Sequence, residues 1–549
     1  MKKIILGAAV SAAMFSAAAN ASGPAIDPST YIIHLSGSSA ASKFIDQLIT
    51  NATVPATSQL CDTTAPIYKF TNGSNYTAYY CKKSSTNTVM KALTANSYLL
   101  IHKRNAGGSG QGVTPVINST AIDFLNVNRS DCATGSASAG ITPVTCGFTA
   151  GEYTHVPDFG VSDVDPVQFT GANNPAYVGT TASASSDVTQ TQVNTLKVTP
   201  AAAQLFGVVA SLKLRNALQY VQFTTGNVCN PTNANYSTLV TGQTYTNAES
   251  AACQPSISTA QATSIFLGEF ASWDQLEVTA GKGLYTTIAN AAVSAALPGS
   301  ARVHICSRTP GSGTTASFGI KFLNYPCGGA YSLPAAQTTD TTAGVPAYAG
   351  TTLSSVFAPE TTFAAQVHQM ASGGNLEDCL DSLDKAVNGT NVAASTLTGG
   401  RWAIGVQGTD SNAALGKNYR FLKVDGNAPT LANAVNGKYK WWTELTFQYK
   451  TTLSGDTLKI ANEFIKQAGN PAVMAVTNAA TNTATHTWGN AGYLAVPQNW
   501  APPASGILNV ASPVNTLSHG TLTKNTNNCR APSFYKASTA ASLNAISLF

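Results

Sequence analysis

Four short segments present small hydroxyl residues, three of them beside glycine. They are Ser36-Gly37-Ser38-Ser39, Gly107-Gly108-Ser109-Gly110-Gln111-Gly112, Ser162-Asp163 and Gly311-Ser312-Gly313-Thr314-Thr315. A helix starting at such a segment offers unpaired backbone N–H groups and about half a positive charge. Glycine lets the backbone approach a guest, and Ser/Thr hydroxyls add further donors. The set suits a small oxyanion. Arg308, just before the fourth segment, adds a planar and permanently charged fork. Asp163 is the odd member, because a carboxylate repels an anion unless it accepts a proton that the anion carries. Each element alone reads as a plain turn, a helix cap or a solvated surface charge. Their succession along one chain favours the binding reading.

Positioning these segments calls for strands that end at them and helices that begin there. Tyr31-Ile32-Ile33-His34-Leu35 reads as a strand, followed by a helix with Phe44, Ile45, Leu48 and Ile49 on one face and Ser38 or Ser39 as cap. Ser97 to Ile101 reads as a strand leading to the glycine-rich segment. Val156 to Val161 reads as a strand entering Ser162-Asp163, and Val303 to Cys306 as one entering Arg308 to Thr315. A helix burying Phe318, Phe322 and Leu323 follows. Asn72-Gly73 between Tyr-rich runs is a hairpin signal. Ser258-x-x-Gln261 is a capping box ahead of Ile265, Phe266 and Leu267. Strands alternating with helices give an α/β fold, in which ligands bind beyond the carboxyl ends of strands. The Thr/Ala/Ser/Asn-rich stretches near 114–150, 172–200, 225–256 and 330–360 read as surface loops or insertions.

These landmarks resemble the phosphate-binding proteins of bacterial ABC importers, in the periplasmic binding protein superfamily. Arg308-x-x-Gly311-Ser312-Gly313-Thr314-Thr315-x-x-Phe318 is similar to the family's R-x-x-G-S-G-T-x-x-x-F. Gly108-Ser109-Gly110-x-Gly112 resembles its G-S-G-x-G loop, and Ser162-Asp163 its S-D pair. Ile265 to Trp273, Ala403-Ile404-Gly405 and Gly426 to Tyr439 resemble structural segments. The likeness runs from about residue 31 to about residue 450, interrupted by diverged or inserted chain.

The resemblance implies a two-lobe (type II) periplasmic binding protein fold with a ligand cleft between lobes. Residues 25–205 plus 402–549 would form lobe one and 206–401 lobe two, with crossovers near Phe206–Val209 and Arg401–Gly405. It implies a protein that captures inorganic phosphate for a membrane permease of the ABC type, as a monomer, with neither catalysis nor cofactor. Ser38 and Ser39 would bind oxygens from the first helix start, and Ser109 would donate from the second loop. Asp163 would accept from protonated phosphate. Arg308 would pair with phosphate oxygens, joined by Ser312, Gly313 and Thr314. One departure stands out. The family commonly carries an acidic residue two after the arginine, which helps to hold it, and here that position is Pro310.

Composition narrows the alternatives. The 549 residues carry 30 Lys+Arg and 25 Asp+Glu, a net +5. Charged residues are 10%, against about 25% in ordinary soluble proteins. There is no basic run and no heptad pattern, which excludes a nucleic-acid binder, a polybasic membrane-surface protein and a coiled-coil fibre. Residues 1–21 read as a cleavable export signal. Lys2 and Lys3 precede an apolar stretch, Ile4 to Ala19, that ends in Ala19-Asn20-Ala21. No cysteine stands at the cleavage site for lipid attachment, and no later run could span a bilayer, so a periplasmic or secreted location without membrane insertion is expected.

The 10 cysteines suit an oxidising compartment. Proximity in sequence suggests Cys61–Cys81, Cys132–Cys146, Cys229–Cys253 and Cys306–Cys327, leaving Cys379–Cys529. Two other classes stay open: a secreted or surface interaction protein on the same scaffold, and a phosphatase. The sequence has no G-x-S-x-G, no H-E-x-x-H and no tight His/Asp cluster to support the latter.

Overall fold

The computed structural model describes residues 23–175, 187–236, 247–328, 365–387, 399–435, 437–480 and 484–495, and the backbone of 533–536 and 544–547. The export-signal residues 1–21 and Cys529 lie outside the described residues.

The chain is a mixed α/β protein built on one long sheet. Strands β1 (Thr30–Gly37), β2 (Ile67–Asn72), β3 (Tyr76–Lys82), β4 (Tyr98–Arg104) and β5 (Phe159–Ser162) come first. They are followed by β6 (Leu196–Ser211), β7 (His304–Arg308), β8 (Gln366–Met370), β9 (Ala403–Gly408) and β10 (Trp442–Lys450). Across the sheet the order is β8-β7-β9-β6-β10-β5-β1-β4-β3-β2, continued by Ile141–Thr145 and Ala133–Thr134. Strand β1 lies parallel between β4 and β5, and β7 lies parallel between β8 and β9. The carboxyl ends of β1, β4 and β5 therefore point one way together, and so do those of β7 and β8. The Asn72-Gly73 signal marks a true hairpin, with Asn72 opposite Tyr76 across β2 and β3.

Strand β6 joins the two parallel sets. Its first half, Leu196 to Leu205, runs antiparallel to β10, and its second half, Phe206 to Ala210, runs antiparallel to β9. The buried cores divide at the same place. Ala201 and Ala202 pack with Ile33, Leu35, Phe44, Ile101 and Phe447, whereas Phe206 and Val208 pack with Ile305, Phe318, Ile404 and Trp441. Strand β9 sits on the β7 side of this division. The reading of 172–200 as surface chain fails at its end, since Leu196 already begins β6. Pro200-Ala201-Ala202-Ala203 has low strand propensity, and pairing with β10 overrides it. Proline has no N–H for the ladder, and the register slips between Pro200 and Ala202.

Among the described residues, the helices of eight or more residues are α1 (Ser42–Thr50), α2 (Leu212–Gln222), α3 (Thr259–Phe266), α4 (Gly313–Phe322), α5 (Gly373–Lys385), α6 (Gly455–Ala468) and α7 (Pro471–Ala479). The Ser258/Gln261 capping box forms as expected at the start of α3. Helix α6 buries Ile460, Ala461, Phe464, Ile465 and Ala468 against the first core, a 3.6-residue pattern in a region where the family resemblance had ended.

Three expected disulfides are present: Cys61–Cys81, Cys132–Cys146 and Cys229–Cys253. The other two pairings are corrected. Cys306 bonds Cys379, with Cα atoms 6.1 Å apart, so neither Cys306–Cys327 nor Cys379–Cys529 forms. Cys327 is itself disulfide-bonded. Sequence proximity misleads here because Cys306 on β7 faces α5, and packing rather than chain distance sets the partner. Among the described residues no helix is long and apolar enough to cross a membrane.

Candidate functional site

The carboxyl ends of β1 and β5 meet the turn Ser109–Gly112 at backbone contact. A Cβ on Gly112 would lie 2.5 Å from the Val161 carbonyl oxygen and 2.8 Å from that of Ser36. A Cβ on Gly160 would overlap the Gly112 carbonyl. Only glycine lets these three main chains come together. The Ser38 N–H donates to the Val161 carbonyl at 2.9 Å, which fixes the first segment over β5. Ser38 accepts from the Ala41 N–H at 3.2 Å, ahead of α1. The residue at the N-cap is Ala41, so neither Ser38 nor Ser39 occupies that position.

Asp163 follows β5 and is 2% exposed. Its carboxylate accepts from the Ser38 hydroxyl and from Thr314 Oγ1, the latter at 3.2 Å. Its own N–H donates to Ser109 Oγ at 3.1 Å. Burial pushes the Asp163 carboxyl up from its ordinary value, opposed by the Ser38 hydrogen bond, the Arg308 charge and the Thr314 and Ser109 hydroxyls.

Ser312 caps α4, its Oγ accepting from the Thr315 N–H at 3.3 Å. Gly313 faces Asp163 directly. A Cβ there would overlap Ser109 Oγ and lie 2.9 Å from Asp163 Oδ2. The two glycine segments also bond to each other, Gly110 N–H to the Gly311 carbonyl at 2.7 Å. Ser38, Ser109, Asp163, Arg308, Ser312, Gly313 and Thr314 are thus brought together and buried.

Arg308 ends β7. Its Nε donates to the Met370 carbonyl and its Nη2 to the Ala371 carbonyl, both at 3.1 Å. Main-chain oxygens at the end of β8 hold the guanidinium, so an acidic residue at position 310 is not needed to orient it. The Cys306–Cys379 bridge lies two residues before Arg308 and ties β7 to α5, directly after the Met370-Ala371 turn. Burial lowers Arg308 to about 10, opposed by the charge on Asp163. Arg308 remains a cation at neutral pH.

Ser39 does not join this group. It is half-buried, and its Oγ accepts from the Gly373 N–H at 3.1 Å. It lines a neighbouring pocket of about 310 Å³ with Lys43, Asp46, Lys69, Glu377 and Asp410. Burial raises the Glu377 and Asp410 carboxyls, with the Lys43 charge opposing.

Lys103 escaped the sequence reading. It lies near the end of β4, 2% exposed. Its Nζ donates to the carbonyls of Gly37 and Ser38 at 3.1 Å, to that of Arg104 at 2.9 Å and to Asn105 Oδ1 at 2.7 Å. Its signal was present in the sequence: Lys103-Arg104 stands at the end of the apolar run Leu99-Leu100-Ile101, one residue beyond it, and precedes the glycine-rich segment. A lysine so placed is held under a loop or reaches solvent, and only packing decides which. Among the described residues no group of three His, Cys, Asp or Glu is placed to hold a metal ion.

No protein-family model matches the chain, and no curated protein matches it. Several solved structures do. A Clostridium perfringens protein assigned as a phosphate ABC transporter substrate-binding protein, solved with bound phosphate, is 12% identical. The match covers 81% of this chain and 96% of that one, with a TM-score of 0.35. An ABC-type phosphate transport receptor from Vibrio cholerae matches at 12% identity with the same two coverages and a TM-score of 0.32. The PstS protein of Borrelia burgdorferi matches at 12% identity, over 81% of this chain and 95% of its own, with a TM-score of 0.29.

Proposed function

We propose that this protein is an exported solute-binding protein that holds inorganic phosphate between two lobes and delivers it to an ABC permease. One observation carries the reading: hydroxyls from Ser38, Ser109 and Thr314 gather on the buried carboxylate of Asp163, beside the cation of Arg308 and the start of α4. Hydroxyls and helix-start N–H groups suit phosphate oxygens, and Arg308 balances charge. Asp163 supplies selectivity. Phosphate at neutral pH carries a proton to donate to it, and sulfate carries none. A like charge facing a buried carboxylate costs several kcal/mol.

The two lobes would meet along β6 and β10. The division at Leu205/Phe206 fits the first expected crossover. The pairing of β9 with β7 favours a second crossover at Trp441-Trp442, with residues 403–441 in lobe two. Hinge closure over the anion would then bring the 308–314 segment onto Ser109 and Asp163.

A specific observation favours a second reading. Asp163 and Arg308 are bonded by groups of the chain itself, so the cluster also serves as a polar seal between lobes in a secreted interaction protein. Thermal melts with phosphate, arsenate and sulfate separate the two. Phosphate at a hundred times its dissociation constant should add about 2.7 kcal/mol of stability. A melt unmoved by phosphate and arsenate leaves the seal as the function of the cluster.

A further inference from the structure

We propose that Lys103 is a positioning residue of the anion site: held under the Gly37 and Ser38 carbonyls, its ammonium supplies the second positive charge that a tetrahedral oxyanion needs beside Asp163. This rests on the phosphate reading above and deepens it.

Arg308 is one cation and Asp163 one anion, which alone leaves the cluster neutral. Protonated Lys103, beneath the Gly37 and Ser38 carbonyls, adds positive charge that favours an anionic guest. The ammonium does not reach the Asp163 cluster directly. Four oxygens surround it, two of them the carbonyls of the first binding segment, and the Gly37–Ser38 peptide links it to the Ser38 hydroxyl. Lys103 therefore acts through Ser38, by holding its backbone and by its field.

The charged groups acting on Lys103 come from separate elements. Asp163, after β5, favours the charged form, and Arg104, next on β4, disfavours it. Arg308, at the end of β7, acts on Asp163 in turn. Burial, the largest influence, lowers Lys103 to about 7. The sign follows. Above pH 7 Lys103 sheds its proton when no anion is bound, and an arriving anion draws the proton back. Binding at alkaline pH then takes up a proton at Lys103.

The test is calorimetry with inorganic phosphate from pH 6 to pH 9, each in two buffers of different ionisation heat. Wild type, Lys103→Met and Asn105→Asp are compared. Phosphate's own ionisation is common to all three, so differences report on Lys103. We expect Lys103→Met to bind at least about tenfold more weakly at pH 6, with a shallower loss of affinity above pH 7 and less proton uptake. Asn105→Asp puts a carboxylate where Oδ1 now accepts from Nζ, so Lys103 keeps its proton longer. Its affinity should fall about one pH unit later than that of wild type. Should Lys103→Met not melt cooperatively, Asn105→Asp decides alone. Wild-type profiles in the folded variants overturn the role of Lys103 and leave the phosphate reading standing. Failure of wild type to bind phosphate at every pH overturns both.

Discussion

Two neighbouring regions are each built from chain before residue 165 and chain after residue 300, and they differ in kind. The cluster around Asp163 is made of glycine and small hydroxyl residues with few charges, all buried and all bonded. The 310 Å³ pocket beside it is lined by charged residues already paired with one another, Lys69 with Asp46 at 2.6 Å and Lys43 with Glu377 at 4.0 Å. In the dry cluster one carboxylate or one guanidinium has large consequences, because water cannot screen it. In the pocket Lys43 and Lys69 are partly exposed and paired with carboxylates, and such pairs are worth about 0–1 kcal/mol.

The contrast breaks most sharply at Gly313. Gly313→Val puts carbon where Ser109 and Asp163 now sit, and phosphate binding measured by calorimetry should fall at least about a hundredfold, with about 1–3 kcal/mol of lost stability from overpacking. Retained affinity would place the anion elsewhere.

Replacing Cys306 and Cys379 by alanine removes a staple between residues 73 apart in sequence. Urea denaturation should report a loss of roughly 2–5 kcal/mol. Phosphate affinity should weaken as well, since β7 and α5 flank the carbonyls that hold Arg308. Equal stability in the double variant would refute the staple.

Asp163→Asn should reduce the preference for phosphate over sulfate by about tenfold or more, read from paired titrations. It should also move stability with pH. A carboxyl whose folded pKa is raised contributes stability at pH below its unfolded value, and loses that contribution as pH rises through the folded value. Without anion, Asp163→Asn should therefore melt above wild type at pH 8, the gap closing toward pH 4. A gap independent of pH removes Asp163 as a buried titrating group.

The smallest effect belongs to the pocket. Lys69→Ala should leave phosphate affinity within about twofold and stability within about 1 kcal/mol. A large drop in affinity would make the pocket part of the anion site.

Much of this was legible in the residues. Apolar β-prone runs ending in glycine and hydroxyl segments pointed to β1, β4, β5 and β7 and to the loops after them, because strand and turn chemistry is local. The convergence of Ser38, Ser109, Asp163 and Thr314 was readable only through resemblance, since their spacing spans most of the chain. Ser39 was read together with Ser38, yet adjacent residues at a strand end face different ways, and Ser39 turned to Gly373. The first half of β6, hidden in a Pro-Ala-Ala-Ala run, took its form from β10.

What the sequence determined by itself is the chemistry on offer: glycines where main chains must touch, hydroxyls that donate, one acid and one arginine. Tertiary structure alone decided which of these meet. It bonded Cys306 to Cys379, gave Arg308 two backbone carbonyls where Pro310 offers no acid, and buried Lys103 beneath Ser38. The reason is that turns and strands follow from near neighbours along the chain, whereas partners across a packed interior are set by how whole elements dock.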